Sequence, residues 1–149
     1  MKLETTQVGI AGEYLVAGEL SLRGFVAAIT LRNTRGTDII TSTSDGGKSV
    51  SVQVKTNSTG KALWMVGKKS EDFASPSHFY VFVALHELLE RPSYHIVPSQ
   101  IVAERITTSH RDCLGGTKAD GTARKDSSIR KFEDLDGVYR ERWEMLFSE

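Results

Sequence analysis

From Ser49 to Thr56 apolar and polar residues alternate without a break. In such a strand Val50, Val52 and Val54 point one way and Ser51, Gln53 and Lys55 the other. The second side carries an amide and a cation, so it cannot be plain core. Asp38 to Thr43 reads as the preceding strand, joined to this one by Ser44-Asp45-Gly46-Gly47-Lys48. That linker is hairpin-turn chemistry, because Asp-Gly and Gly-Gly tolerate positive φ. Phe25 to Leu31 is a shorter apolar run and a first strand, and Arg32 to Gly36 is a turn with two cations. The hairpin predicts that Asp38, Gln53 and Lys55 meet at one edge of a sheet.

Ahead of these strands, Thr6 to Arg23 has helical spacing. Gly9, Glu13, Val16 and Leu20 share one face, and Ala11, Leu15, Gly18 and Leu22 form a second stripe. Thr5 or Thr6 is placed to cap the helix and Gly24 to stop it. A helix apolar on two sides predicts burial in a layer. A lone Glu on such a stripe is ordinarily its solvated end. Glu13 gains interest only because the Asp38 hairpin follows.

The rest of the chain completes the architecture. Leu63 to Val66 is a short strand or edge segment, and Lys69 to Phe73 a short helix. Phe79 to Leu85 is apolar on both sides, which predicts a mid-sheet strand. Ser93 to Val97 follows it, and Ser99 is placed to cap a helix to about Ile106. Ser109 to Ser128 reads as a long loop, and Leu135, Tyr139, Trp143 and Leu146 as an amphipathic C-terminal helix. The expected class is α/β (α+β): a central mixed β-sheet with helices on both faces.

Composition narrows the setting. The 149 residues predict one domain, residues 1–149. Lys plus Arg equals Asp plus Glu, and a zero net charge neither favours nor excludes nucleic acid. No apolar run approaches the roughly 18 residues a membrane helix needs. The first residues lack the apolar core of a signal peptide. Cys113 is the single cysteine, which excludes an intramolecular disulfide and fits a reducing cytoplasm. The four His residues share no metal-ligand spacing, and His95 reads as a locally satisfied strand histidine. Lys118, Arg124, Lys125, Arg130 and Lys131 read as a solvated loop, or as a phosphate contact should the chain bind nucleic acid.

The hairpin suits phosphodiester chemistry. Mg²⁺, with Mn²⁺ as a substitute, takes oxygen ligands and neutralises charge on a phosphate. Asp38 offers a carboxylate, Gln53 an amide oxygen and Val54 a main-chain carbonyl. Lys55 would orient the attacking water, and Glu13 would add a second carboxylate. These residues reach a known family. Gly9-x-x-Gly12-Glu13-x-x-Val16-x-x-x-Leu20-x-x-x-Gly24-Phe25, then Asp38, then Gln53-Val54-Lys55-Thr56, resembles the PD-(D/E)xK nuclease superfamily. This is the fold of many restriction endonucleases and Holliday-junction resolvases.

By that resemblance Asp38 matches the metal-binding Asp, Lys55 the catalytic Lys and Glu13 the helix Glu. Thr37 stands in place of the nominal Pro, and Gln53 in place of the acidic residue. A unit charge at about 4 Å is worth roughly 4 kcal/mol at an effective dielectric of 20, so the amide weakens any metal site. The resemblance implies a Mg²⁺-dependent DNA endonuclease with Glu13, Asp38, Gln53 and Lys55 as catalytic residues, acting alone or as a homodimer. The alternative is a nuclease-fold module without activity that binds nucleic acid or a protein partner.

Overall fold

A computed structural model describes residues 2–31 and 34–148. Its elements in order are α1 (Thr5–Leu22), β1 (Val26–Ile29), β2 (Ile39–Ser42), β3 (Ser49–Asn57), β4 (Leu63–Gly67), β5 (His78–Ala84), β6 (Ser93–Pro98), α2 (Ser99–Leu114) and β7 (Ile129–Glu133). Two 3-10 turns, Lys68–Glu71 and Trp143–Leu146, complete the set. The main sheet has the order β1-β2-β3-β5-β6. Its first three strands form the expected antiparallel meander, and β3 pairs with β5 in parallel. The sheet is therefore mixed, and every residue of β5 is buried, as its apolar run predicts.

Each face of the sheet has its own core. Val52, Val54, Val81, Val83 and Ile96 pack under Val16 and Leu20 of α1, with Trp143 and Leu146 closing that side. Tyr80, Phe82 and Val97 pack on the other face against Val102 and Ile106 of α2. Trp64 and Phe132 join this second core from a separate two-stranded sheet, β4-β7. Among the described residues no helix is long and apolar enough to cross a membrane.

The helix ends differ slightly from expectation. Glu4, not a threonine, is the N-cap of α1, and its N–H donates to the Gln7 side chain at 3.0 Å. Gly24 follows the helix at φ 82°, the left-handed geometry that glycine allows. Ser99 does not cap α2; it is the buried first residue of that helix, and its hydroxyl donates to the Ser75 carbonyl at 3.0 Å. The helix runs two turns past Ile106 into the expected loop.

The C-terminal helix is absent. Residues 129–133 form β7 instead, and the chain then turns at Gly137 (φ 67°) and Glu141 (φ 56°). Asp134 accepts hydrogen bonds from the Val138 and Tyr139 N–H groups, both at 3.0 Å. Glu141 N–H donates to the Tyr94 carbonyl at 2.8 Å. These backbone bonds to β6 replace those that a helix would have made.

Close approach of α1 to β3 rests on one missing side chain. A Cβ at Gly12 would lie 1.8 Å from Thr56 Oγ1, whereas one at Gly18 would meet nothing within 4 Å. Gly12→Ala therefore overpacks the contact. It should destabilise the fold by about 1–2 kcal/mol net of the helix-propensity gain. Gly18→Ala should instead stabilise it by about 0.5–1 kcal/mol. Urea unfolding of both variants checks the opposite signs.

An ion-pair network ties α1 to the far side. Glu19 is 8% exposed and receives both guanidinium nitrogens of Arg91, at 2.6 and 3.0 Å, and Arg23 at 2.6 Å. Glu141 accepts from Arg91 at 3.3 Å and from the Trp143 indole at 2.7 Å. The Arg91 bond, opposed by burial and aided by Arg23, holds the Glu19 carboxyl below its ordinary 4.5. A carboxyl lowered on folding stabilises the protein above its unfolded value and loses that effect as pH falls through its folded value. Glu19→Gln should lower the melting temperature at neutral pH and flatten the acid limb of stability below pH 4.5, read by thermal melts across pH.

Candidate functional site

The site forms where β2 stops and β3 continues. Asp38 N–H still donates to the Val52 carbonyl at 2.9 Å, the last rung of the ladder. The next inward donor of β3 is the Val54 N–H, which has no strand partner there. The Asp38 side chain supplies one, with Oδ2 accepting at 2.7 Å. Thr30 holds the other side of this corner: its N–H donates to the Asp38 carbonyl at 2.9 Å and its hydroxyl to the Thr37 carbonyl at 2.7 Å.

Helix α1 closes a cavity over this corner. About 280 Å³ is lined by Thr6, Gly9, Ile10 and Glu13 of the helix and by Thr30, Leu31, Thr34 and Asp38. Glu13 and Asp38 both line it. The Gly12 contact sets the height of the helix, and Glu13 follows one residue on. Lys55 stands close enough to act on Asp38 through its charge. Gln53 lies one pleat before Lys55 on the same face of β3. Neither Gln53 nor Lys55 lines the cavity. They stand opposite Tyr80 and Phe82 of β5, half-buried beside the second core.

Burial dominates the charge state of Asp38. It pushes the carboxyl above its ordinary 3.8, while the Val54 N–H and the Lys55 charge pull back only in part.

The donor set does not fit a metal. Among the described residues no group of three or more His, Cys, Asp or Glu side chains could hold a metal ion. The expected Mg²⁺ or Mn²⁺ centre of Glu13, Asp38, Gln53 and the Val54 carbonyl is overturned by this finding. The metal-dependent DNA endonuclease and hydrolase falls with it. The physical reason is visible in the donors: only Glu13 and Asp38 bring carboxylates, one oxygen of Asp38 is taken by Val54, and Gln53 is neutral.

Other polar residues of note escaped the sequence. His78 is buried and its Nδ1 lies 2.7 Å from Ser51 Oγ, next to the hairpin. Burial pushes this imidazole down to about 4, so it is neutral at physiological pH. His95 is satisfied, as read, but by Asp134, 2.6 Å away and distant in sequence. Glu19 gave no signal, because its partner Arg91 lies far along the chain. Of the basic run, Arg130 is buried against Glu71 and is not available to a ligand, and Arg124 donates to Cys113 Sγ at 3.3 Å. Lys118, Lys125 and Lys131 remain exposed.

No family model matches the chain, and no curated protein matches it by sequence. Among solved structures, a bacterial homing endonuclease aligns with a TM-score of 0.55 at 17% identity, covering 97% of this chain and 92% of that one. A Holliday junction resolvase from the archaeal hyperthermophile Archaeoglobus fulgidus aligns at 0.48 with 12% identity, covering 88% and 86%. The fold resembles that of the PD-(D/E)xK nucleases. At these identities the likeness is one of architecture, and the site must be judged on its own geometry.

The raised Asp38 carboxyl has a measurable consequence. A group raised on folding favours the folded state below its unfolded value and loses that contribution as pH rises through its folded value. At neutral pH the half-buried Asp38 charge therefore works against the fold. Asp38→Asn keeps an acceptor for Val54 N–H and removes that charge. It should raise the melting temperature at neutral pH, with the gain vanishing below pH 3.8.

Proposed function

We propose that residues 1–149 form one nuclease-fold module that binds nucleic acid, DNA foremost, and does not cleave it by metal chemistry. The observation that carries this reading is the corner at Asp38. It keeps Lys55 and Gln53 side by side on β3, yet lacks the carboxylates a metal would require. An ammonium neutralises a phosphate as a point charge, and an amide both donates to and accepts from a phosphate or a base edge. The homing endonuclease that shares the fold favours nucleic acid over other anions as the ligand class. Lys118, Lys125 and Lys131 are further exposed cations, on the loop after α2 and on β7. The lone Cys113 goes with a reducing, cytoplasmic setting.

Fluorescence anisotropy with labelled single-stranded, duplex and branched DNA tests the proposal. Binding should weaken with salt and be the same with Mg²⁺ or EDTA, and the DNA should stay intact. Lys55→Ala should weaken binding and reduce the slope of log K against log salt by about 1, the signature of one lost phosphate contact. Asp38→Ala should leave affinity unchanged or slightly higher, since it removes a negative charge. Absence of binding to all three DNAs, or cleavage that EDTA stops, would overturn the proposal.

A further inference from the structure

The layer that covers the second face of the main sheet stops part-way across it. Under that layer His78, Tyr80 and Phe82 of β5 are buried. One strand over, Ser51, Gln53 and Lys55 of β3 are half-buried. Beyond them the same face lies open. Ile40, the register partner of Ser51, is 49% exposed, and Ala28, the partner of Ile40, is exposed too. The result is a step that runs along β3. Its floor is the open half of the sheet, and its wall is the edge of the second core.

Phe73 stands at that wall. Its ring meets the His78 ring edge to face, with centroids 4.6 Å apart, and His78 Nδ1 lies 2.7 Å from Ser51 Oγ. Gly36 passes so close that a Cβ there would sit 2.9 Å from the Phe73 ring. Phe73 is thus braced from two sides, yet it remains 42% exposed. Beside it the polar side chains of Ser49, Ser51, Gln53 and Lys55 recur at every second residue of β3, about 6.6 Å apart.

We propose that this step holds a single strand of nucleic acid, with one base stacked on Phe73 and the backbone running along β3. The inference rests on the nucleic-acid reading above and adds strandedness to it. The apolar half of the step decides the choice. A duplex turns its base faces inward and offers a protein its phosphates, sugars and groove edges. It would leave Phe73, Ile40 and Ala28 without a partner. An unpaired strand exposes its base faces, which stack on aromatic rings whatever their sequence, while cations follow its phosphates. The charges agree. Exposed Lys48 leads into β3, Lys55 lies along the step, and exposed Lys68 and Lys69 precede Phe73. Asp72 is the exposed acid next to them, since Glu71 is taken up by Arg130.

Anisotropy and indole fluorescence of the full chain test this, with oligothymidine, which forms no duplex, set against a blunt duplex of the same length. Oligothymidine should bind more tightly than the duplex. In Phe73→Trp it should quench the new indole, because Trp64 and Trp143 are buried and give a constant background. Phe73→Ala should weaken oligothymidine binding about tenfold and leave the duplex unchanged, whereas Lys55→Ala should weaken both. Binding of neither DNA would remove the nucleic-acid reading itself, and this inference with it. A duplex bound at least as tightly as oligothymidine, or an indole unquenched by bound oligothymidine, would overturn the single-strand inference and leave the DNA reading standing. Should Phe73→Ala fail to fold, the wild-type preference and the Phe73→Trp quenching decide.

Discussion

Helix α1 can lie against β3 only because position 12 has no side chain. Thr56 occupies the space a Cβ would need, so the helix and the strand meet at backbone distance. That contact sets the height of α1 above the sheet. It brings Val16 and Leu20 onto the core, turns Glu13 toward the Asp38 corner and carries Glu19 to Arg91. A larger residue at position 12 would lift the helix and open the cavity and the ion-pair network together. Both charged residues of α1 depend on this one approach, one at each end of its buried stripe.

The Asp38 corner is held by backbone chemistry without a fitting metal site. Where β2 ends, the N–H of Val54 would be an unpaired donor half inside the protein, at a cost comparable to a lost hydrogen bond. The Asp38 carboxylate answers it. The residue thus has a structural reason to stay, independent of any cation. It is half-buried, with one oxygen taken by a backbone donor and the Lys55 charge near by.

The strands around the site were legible because their periodicity is simple. In β3 one face carries Val50, Val52 and Val54 in succession, and β5 is apolar on both faces, so alternation and continuity each speak plainly. Glu13 and Asp38 line one cavity, whereas Gln53 and Lys55, singled out by the same spacing, do not. The C-terminal segment was not legible. Leu135, Tyr139, Trp143 and Leu146 mimic a helical stripe, yet their backbone is held by Asp134 and by β6, partners the local sequence cannot announce. Strand β7 hid for a related reason. Its buried positions are Arg130 and Phe132, and an arginine inside the fold, paired with Glu71, reads as a surface residue. The failed metal site is of a third kind. Spacing placed the right residue types near one another, but the charge state of Asp38 depends on burial and on Val54, which only the assembled corner reveals.

The zero net charge of the chain takes on meaning once its charges are placed. Several cations are consumed internally: Arg23 and Arg91 by Glu19 and Glu141, and Arg130 by Glu71. The acids in these pairs, Glu19, Glu141 and Glu71, equal the cations in number, so the remainder is neutral as a sum and what a phosphate backbone would meet is set by where its exposed charges lie. A field at a surface is set by such unpaired groups within about a Debye length of roughly 10 Å, not by the molecular sum. Lys131 illustrates the point: it shares a recess with Arg105 but also with Glu104, Asp112 and Glu133, so its local field is decided by those neighbours and not by the molecular total.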